Sequence, residues 1–238
     1  NLPIIKQITR IISCRIKIKK WIKENEGDDK VVIIYSTYLP FLYSIKGLSS
    51  NIKSIIIVTD LPEFYDLTQS ENILYKTIRS IYSKLTYNLL NNIDAFVVLT
   101  KYMLNRLSIA DKPYVVIEGI VDSNIELENN MFKEKNKIIL YTGTLNFKFG
   151  IKNLLDAFDF IKNEQFELWI CGKGEAEEEI INRAKADTRI KYLGYLTQNE
   201  IYQLQQKATL LINPRTNEGE YTKYSFPSKT MEYMLSGT

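Results

Sequence analysis

Residues 137–158, KIILYTGTLNFKFGIKNLLDAF, contain one complete instance of the pattern that decides the fold. The apolar segment 137–145 predicts a strand buried on both faces, because a half-exposed strand would alternate apolar with polar residues. Gly143 indicates a turn near its end, and a segment of helical period follows from about residue 151 to 161. A strand, a tight loop and a helix in this order predict a parallel sheet built from crossover units.

The same alternation recurs on both sides of this unit. Val- and Ile-rich segments predict further strands over residues 31–36, 54–60, 94–100, 114–121, 166–174, 189–195 and 209–214. Segments of helical period predict helices over residues 4–22, 42–48, 71–92, 102–107, 175–185 and 199–206, followed by a final helix near the end of the sequence.

A polar segment divides this alternation into two runs. Residues 122–136 have no period that would bury a face, so we interpret them as a linker between domains. The predicted fold class is therefore α/β, with Rossmann-like domains over residues 1–121 and 137–238. Their parallel sheets are expected to face a cleft, with ligands at the carboxyl ends of the strands.

The composition excludes several classes of function. The chain has 238 residues, is 45% hydrophobic and contains no histidine, which removes histidine-based hydrolase triads and zinc sites. Its net charge of +3 is too small to indicate nucleic-acid binding. No apolar run approaches the roughly 20 residues of a membrane span. Cys14 and Cys171 show no metal-ligand spacing and indicate a reducing, cytoplasmic compartment.

A cluster of positive charge lies at the start of the sequence. Residues 1–23 hold seven Lys or Arg and no acidic residue, and the segment RIKIKKWIK (15–23) includes Trp21. This pattern fits peripheral contact with an anionic membrane, and it equally fits a solvated helix face.

Strand-end loops of the second run carry the first candidate site. They cover residues 141–145, 171–174, 194–196 and 213–215. Glycine in such loops lets the main chain approach a ligand, or simply makes a tight turn, and both interpretations remain open. The segment GKGEAE has Glu177 in place of the third glycine of a dinucleotide fingerprint, which disfavours a classical NAD site.

The final segment, KYSFPSKTMEYMLSGT (223–238), reads as a helix start. With Ser225 or Phe226 as N-cap, Pro227 falls in the first turn and the free N–H groups form an anion site, to which Lys229 adds a charge. Glu232 lies one turn further on, where its carboxylate is placed to accept hydrogen bonds from two ribose hydroxyls. The alternative is an ordinary capped helix with a solvated glutamate.

Together these segments resemble glycosyltransferase family 4, whose members have the GT-B architecture of two facing Rossmann-like domains. The resemblance is clearest over residues 138–238, in YTGTL…FGIKNLLDAF, LWICGKG, IKYLGYLTQNEIYQL, ATLLINPR and SFPSKTMEYMLSGT. Over residues 1–121 it rests on pattern and on VVIIYS, VTDLPEF and AFVVLT. It implies that both domains are incomplete and that the chain is a fragment lacking both ends, so that Tyr233, Met234 and Leu235 would expose apolar surface.

Site residues follow from the resemblance where positions match. Glu232 matches the second Glu of a Glu-x7-Glu motif, and Tyr224 stands where the first would be. Asp60 and Glu218 are the catalytic candidates implied, the former to position the acceptor and the latter, or alternatively Glu220, to substitute for the missing Glu. The implied donor-binding set is Gly143, Thr144, Lys148, Gly172, Gly174, Tyr195, Leu196, Arg215, Tyr224, Ser228, Lys229 and Glu232.

The implied function is transfer of a hexosyl-type sugar, with retention and without a metal. The expected donor is a UDP- or GDP-linked sugar, and the expected acceptor is a glycan, polysaccharide or lipid-linked molecule. A non-catalytic GT-B nucleotide-binding partner remains an alternative, supported by Tyr224 and by Thr144 and Phe149 at positions where the family often has a diphosphate clamp. A sugar-nucleotide 2-epimerase is disfavoured, because such enzymes use a histidine.

Overall fold

Both sheets of the protein are parallel, as the alternation of strands and helices predicts. The computed structural model describes residues 3–25, 27, 29–48, 51–64, 73–121, 136–216 and 220–238. The chain divides into two compact units. The first comprises Asn1–Glu118 and Gly219–Phe226, and the second comprises Gly119–Glu218 and Pro227–Thr238. Residues 122–135 of the predicted linker lie outside the described residues, so the linker stays a prediction.

The first unit contains a four-stranded sheet in the order β1-β2-β3-β4. Its strands are β1 (Lys30–Tyr35), β2 (Ile52–Val58), β3 (Ala95–Val98) and β4 (Tyr114–Val116). Its helices are α1 (Pro3–Glu24), α2 (Leu39–Ile45), α3 (Ile73–Leu90) and α4 (Tyr102–Leu107). β2 lies between two neighbours, and its Ile56 and Val58 are fully buried in the core with Phe96 and Met103.

Helix α1 packs on α2 and leaves much of its surface exposed. Arg15 Nη1 donates to the Lys46 carbonyl over 2.8 Å, which ties α1 to the residue after α2. Ile8, Ile12 and Ile16 follow one another at four-residue spacing and are at least half exposed. Within the described ranges, no helix has both the length and the apolar composition needed to cross a bilayer.

The second unit contains a four-stranded sheet in the order β7-β6-β5-β8. Its strands are β5 (Lys137–Thr142), β6 (Phe166–Cys171), β7 (Ile190–Gly194) and β8 (Leu210–Leu211). Its helices are α5 (Ile151–Phe158), α6 (Glu177–Ala186), α7 (Gln198–Lys207) and α8 (Ser228–Ser236). The four carboxyl ends of the strands therefore lie side by side at one edge of the sheet, which is the edge where the sequence places the candidate loops.

Helix α8 differs from prediction in two details. Its N-cap is Pro227 rather than Ser225 or Phe226, and no side chain caps it. The Ser225 hydroxyl instead donates to the Tyr221 carbonyl of a preceding 3-10 helix (Glu220–Tyr224). Met234 is 74% exposed as expected, but the prediction of exposure is wrong for Tyr233, which is 8% exposed because its hydroxyl bonds to the end of β5.

Candidate functional site

A cavity of about 380 Å3 opens at the carboxyl ends of β5, β6 and β7. Its lining consists of residues from the three strand-end loops and the start of α7: Gly143, Thr144, Cys171, Gly172, Lys173, Tyr195, Leu196, Gln198 and Ile201. Five of these were predicted from the sequence. Tyr195 is 72% exposed, and the Lys173 ammonium lies 5.4 Å from the centre of its ring. The cavity thus combines main-chain surface, one aromatic face and a cation.

Gly143 and Gly172 are required at the floor of this cavity. Gly143 has φ of 141°, and a Cβ there would lie 1.9 Å from the Lys229 Nζ. Gly172 has φ of 144°, and a Cβ there would lie 1.8 Å from the Gly143 carbonyl oxygen. Both positions combine a backbone conformation that other residues rarely adopt with a close approach of neighbouring atoms. The two loops therefore stack directly on one another.

Lys229, from the first turn of α8, lies across the end of β5. Its Nζ donates to the Tyr141 hydroxyl over 2.8 Å and sits 4.4 Å from the centre of that ring. Burial lowers the pKa of Lys229 to about 8, with a further lowering from Arg215 and an opposing effect of Glu232. The ammonium is thus held partly desolvated, where it would interact strongly with an anion.

Two further predicted cations lie near Lys229. Arg215 is close enough to lower the Lys229 pKa. Lys148 Nζ lies 5.1 Å from the Phe149 ring centre, and Lys229 Nζ lies 6.0 Å from the same ring. Lys148 and Arg215, both members of the predicted donor-binding set, therefore lie in the neighbourhood of Lys229. Such a grouping favours an anionic ligand.

Glu232 lies one turn beyond Lys229 and is half-buried. Burial raises the pKa of its carboxyl, and Lys229 together with a hydrogen bond from Gln205 acts in the opposite direction. The carboxylate thus lies in the same unit as the cavity and in the electrostatic field of Lys229. A carboxylate so placed can accept hydrogen bonds from a ligand's hydroxyl groups.

Residues that were not predicted to belong to the site fix α8 on the sheet. The Tyr233 hydroxyl accepts from the Thr142 amide over 3.2 Å and lies 3.4 Å from the Ile212 carbonyl, to which it donates. The Thr238 hydroxyl donates to the Gln205 carbonyl over 2.8 Å. Tyr233 and Gln205 were missed because each reads as an ordinary member of a helix pattern.

Ser228 and Gly174, two further residues of the predicted donor-binding set, occupy ordinary structural positions. Ser228 is the exposed first residue of α8. The Gly174 amide donates to Glu177 Oε1 over 2.8 Å, and Tyr192 donates to Glu177 Oε2 over 2.9 Å. Glu177, the residue that disfavoured an NAD site, therefore fixes the glycine loop between β6 and α6.

The other predicted residues are not brought into this cluster within the second unit. Asp60 follows β2 in the first unit, where burial raises the pKa of its carboxyl. Tyr224 belongs to the first unit, and its ring stacks on Phe64 with centroids 5.9 Å apart. Glu218 lies outside the described residues. Roles for all three stay predictions.

Metal ligation has no candidate group in the part of the chain that the structure describes. No three Cys, Asp or Glu side chains gather there in a way that could hold a metal ion. The independence of the reaction from metal stays a prediction.

Comparison with known proteins agrees with this architecture. Residues 122–238 match the family described as glycosyl transferases group 1. No curated protein matches the chain in sequence.

Among solved structures, the lipopolysaccharide outer core galactosyltransferase WaaB in apo form is similar, with a TM-score of 0.64 and 17% identity over 99% of this chain and 60% of that one. Anabaena HepE in complex with UDP is similar with a TM-score of 0.61 and 16% identity, over 94% of this chain and 61% of HepE. The pneumococcal O-GlcNAc transferase GtfA in complex with UDP and GlcNAc is similar with a TM-score of 0.59 and 17% identity, over 92% of this chain and 43% of GtfA.

The chain thus spans about three fifths of WaaB and HepE and less than half of GtfA. At these identities the likeness shows the fold. Residues 122–238 thus match the group 1 glycosyltransferases, and the two parallel sheets of the chain are those of a GT-B fold.

Proposed function

We propose that the protein transfers a hexosyl group from a nucleotide-diphosphate sugar to a glycan, polysaccharide or lipid-linked acceptor. The observation that carries the proposal is the contact of Lys229 with Gly143, a residue of the cavity lining, together with the position of Glu232 one turn further along the same helix. The cavity would receive the nucleobase against Tyr195 and Leu196. Lys229 would bind the diphosphate, and Glu232 would bind the ribose hydroxyls. HepE and GtfA were both solved with UDP, which makes UDP the first nucleotide to test.

The chemistry follows from how charge moves in this reaction. The bond between the anomeric carbon and the diphosphate breaks, and the leaving diphosphate gains negative charge. Lys229, Arg215 and Lys148 would stabilise that charge, as would the N–H groups at the start of α8. Because Lys229 is already held by Tyr141 and partly desolvated, it needs little reorganisation as the bond breaks. We propose retention at the anomeric carbon and no metal requirement, so that a chelator leaves activity unchanged.

Nucleotide binding by calorimetry tests the proposal. The wild-type chain should bind UDP or GDP, and Glu232→Gln should weaken that binding at least about tenfold, because it removes charge-assisted hydrogen bonds to the ribose. Glu178→Gln is the matched control, since Glu178 is exposed on α6. Failure of the wild-type chain to bind either nucleotide would contradict the proposal, as would equal affinities of the two variants.

A non-catalytic nucleotide-binding role is the second candidate. It is favoured by Tyr224, which stands where the family motif has an acid and which packs on Phe64 in the first unit. A panel of UDP- and GDP-sugars separates the two candidates. Consumption of one sugar nucleotide supports transfer, whereas binding without turnover or hydrolysis supports the non-catalytic role.

We also propose that α1 rests on an anionic membrane surface from the cytoplasmic side. Ile12 and Ile16 are 53% and 62% exposed, and Trp21 is 40% exposed beside exposed lysines. This combination of apolar and cationic surface suits the boundary between headgroups and acyl chains. Flotation with phosphatidylglycerol vesicles should be lost at high salt and in Ile12→Asn/Ile16→Asn. Salt-insensitive flotation, or none at low salt, would contradict the proposal.

A further inference from the structure

Another cavity, of about 510 Å3, opens in the first unit beside α2 and α3. Its floor is aliphatic and is formed by Val32, Leu42, Ile45, Leu48, Ile52 and Leu89. Three of these residues are buried, whereas the polar lining residues Lys46, Lys53 and Asn92 are exposed. The volume lies within the range of about 300–1,000 Å3 that is typical of ligand sites. The cavity therefore combines an apolar floor with a polar rim.

This cavity lies at the amino ends of the strands. Ile52 is the first residue of β2, and Asp94 immediately precedes β3. Asp60, the residue predicted to position the acceptor, follows the carboxyl end of β2. Because β2 is seven residues long, Asp60 and the cavity are separated by about 20 Å. The cavity is therefore a site separate from the edge of the sheet where the acceptor is expected.

The chemistry of the lining indicates an alkyl chain. The carboxylate of Asp94 accepts from the Ser54 amide and hydroxyl, both over 2.8 Å, and lies 3.5 Å from the Lys53 Nζ. The polar groups at this side thus satisfy one another. Among the described residues that line the cavity there is no aromatic ring, so a base or a sugar ring would find no face for stacking. The remaining aliphatic surface is best covered by methylene groups.

The rim of the cavity carries an excess of positive charge. Lys46 is exposed, and its Nζ lies 5.7 Å from the centre of the Tyr43 ring. Arg15 Nη1 donates to the Lys46 carbonyl over 2.8 Å, which places a further cation beside the rim. Lys46, Lys53 and Arg15 thus oppose the single carboxylate of Asp94. An anionic head on the alkyl chain complements this charge.

We propose that this cavity binds one acyl chain of an anionic phospholipid. Arg15 belongs to α1, so the rim adjoins the helix that we place on the membrane surface. A chain that enters the cavity would leave its phosphate beside Lys46 and Lys53. Occupancy would hold the first unit at the membrane more firmly than contact through α1 alone. This site goes beyond the proposed function, because it does not depend on sugar transfer or on nucleotide binding.

Calorimetry with a one-chain lipid tests the proposal. The probe is lauroyl lysophosphatidylglycerol, kept below its micellar concentration, and the chain should bind it at one saturable site. Glycerol 3-phosphate, which has the head without the alkyl chain, should not bind. The decanoyl lipid, shorter by two CH2 groups, should bind about fifteenfold more weakly, since each buried CH2 contributes about fourfold. Absence of lipid binding, or equal affinities for the two chain lengths, would overturn the proposal.

Substitutions then locate the site. Ile45→Trp fills the cavity and should weaken binding of the lauroyl lipid at least about tenfold, whereas Ile181→Trp, at a 39% exposed position on α6, is the matched control. If Ile45→Trp does not fold, the half-buried Leu48 is replaced by tryptophan instead. Lys46→Glu should weaken binding about fivefold, and Lys185→Glu on α6 should not. Normal affinity in a folded cavity variant would overturn the assignment.

Two comparisons separate this proposal from its neighbours. Ile12→Asn/Ile16→Asn should lose vesicle flotation yet bind the lysophospholipid normally, because neither residue lines the cavity. Impaired lysophospholipid binding in that variant would place the alkyl chain on α1 and overturn the cavity assignment. Tighter binding of laurate than of the lysophospholipid would assign the cavity to a free fatty acid and overturn the choice of a phospholipid. Failure of nucleotide binding would refute the proposed function and leave the lipid measurements unaffected.

Discussion

Replacing Lys229 by methionine should stabilise the second unit at neutral pH while weakening nucleotide binding. The pKa of Lys229 falls from an ordinary value of 10.5 to about 8, which corresponds to a cost of about 3 kcal/mol for carrying the charge in the folded state. Methionine keeps the apolar stem and carries no charge. It loses the hydrogen bond to Tyr141, worth about 1 kcal/mol, so the net gain should be about 2 kcal/mol.

The pH dependence of this gain has a definite sign. Between about pH 8 and 10.5 the unfolded chain binds the Lys229 proton and the folded chain does not. The free energy of unfolding of the wild type therefore rises with pH through this interval, as the charge-burial cost disappears. The methionine variant lacks this contribution. Its advantage should be full below about pH 8 and should be lost by about pH 10.5.

The assay uses the distribution of the two tryptophans. Trp169 lies on β6 of the second unit and Trp21 on α1 of the first, so a Trp21→Phe background leaves Trp169 fluorescence as a reporter of the second unit. Urea unfolding of Lys229 and Lys229→Met chains is compared at pH 7 and 10, in this background. A less stable methionine variant at pH 7, or a difference that does not change with pH, would refute the reasoning.

Two further substitutions test the architecture of the site. Gly172→Ala should destabilise the second unit by about 3 kcal/mol or more, because the new Cβ would collide with the Gly143 carbonyl oxygen. Gly194→Ala places its Cβ in open space and should cost only about 1 kcal/mol, for the positive φ. Equal losses of stability in urea unfolding would contradict this prediction. Tyr233→Phe should cost about 1–3 kcal/mol, because it leaves the buried Thr142 amide without its partner, and an unchanged unfolding midpoint would show that water replaces the hydroxyl.

Much of the fold follows from the period and composition of the chain. The continuous apolar runs that became β5 and β6 predict strands buried on both faces, and their amino ends agree with prediction at Lys137 and Phe166. Carboxyl ends are less predictable. The strand predicted over 114–121 ends at Val116, where its neighbour β3 ends at Val98, although apolar residues continue beyond it. A strand ends where the partner strand that supplies its hydrogen bonds ends, and the end of β3 cannot be read from the residues of β4.

Candidate site residues could be predicted where they lie close together in the sequence. The glycines at strand ends and the spacing of Lys229 and Glu232 are visible in short segments. Gln205 was not predictable, because an isolated glutamine in a polar helix reads as surface, and its burial depends on how α7 packs against β5 and α8. The position of Tyr224 depends on Phe64, about 160 residues earlier in the chain, and no local pattern reports such a pairing.

The first unit is assembled from two separated parts of the chain, which matters for any attempt to split the protein. Phe64 contacts the rings of Tyr221 and Tyr224, at centroid distances of 5.8 and 5.9 Å, although both tyrosines follow β8 in sequence. A cut within residues 122–136 would give two polypeptides, of which the earlier one lacks these aromatic partners. Co-expression and fragment complementation, rather than purification of each half alone, are therefore the appropriate route to separate pieces.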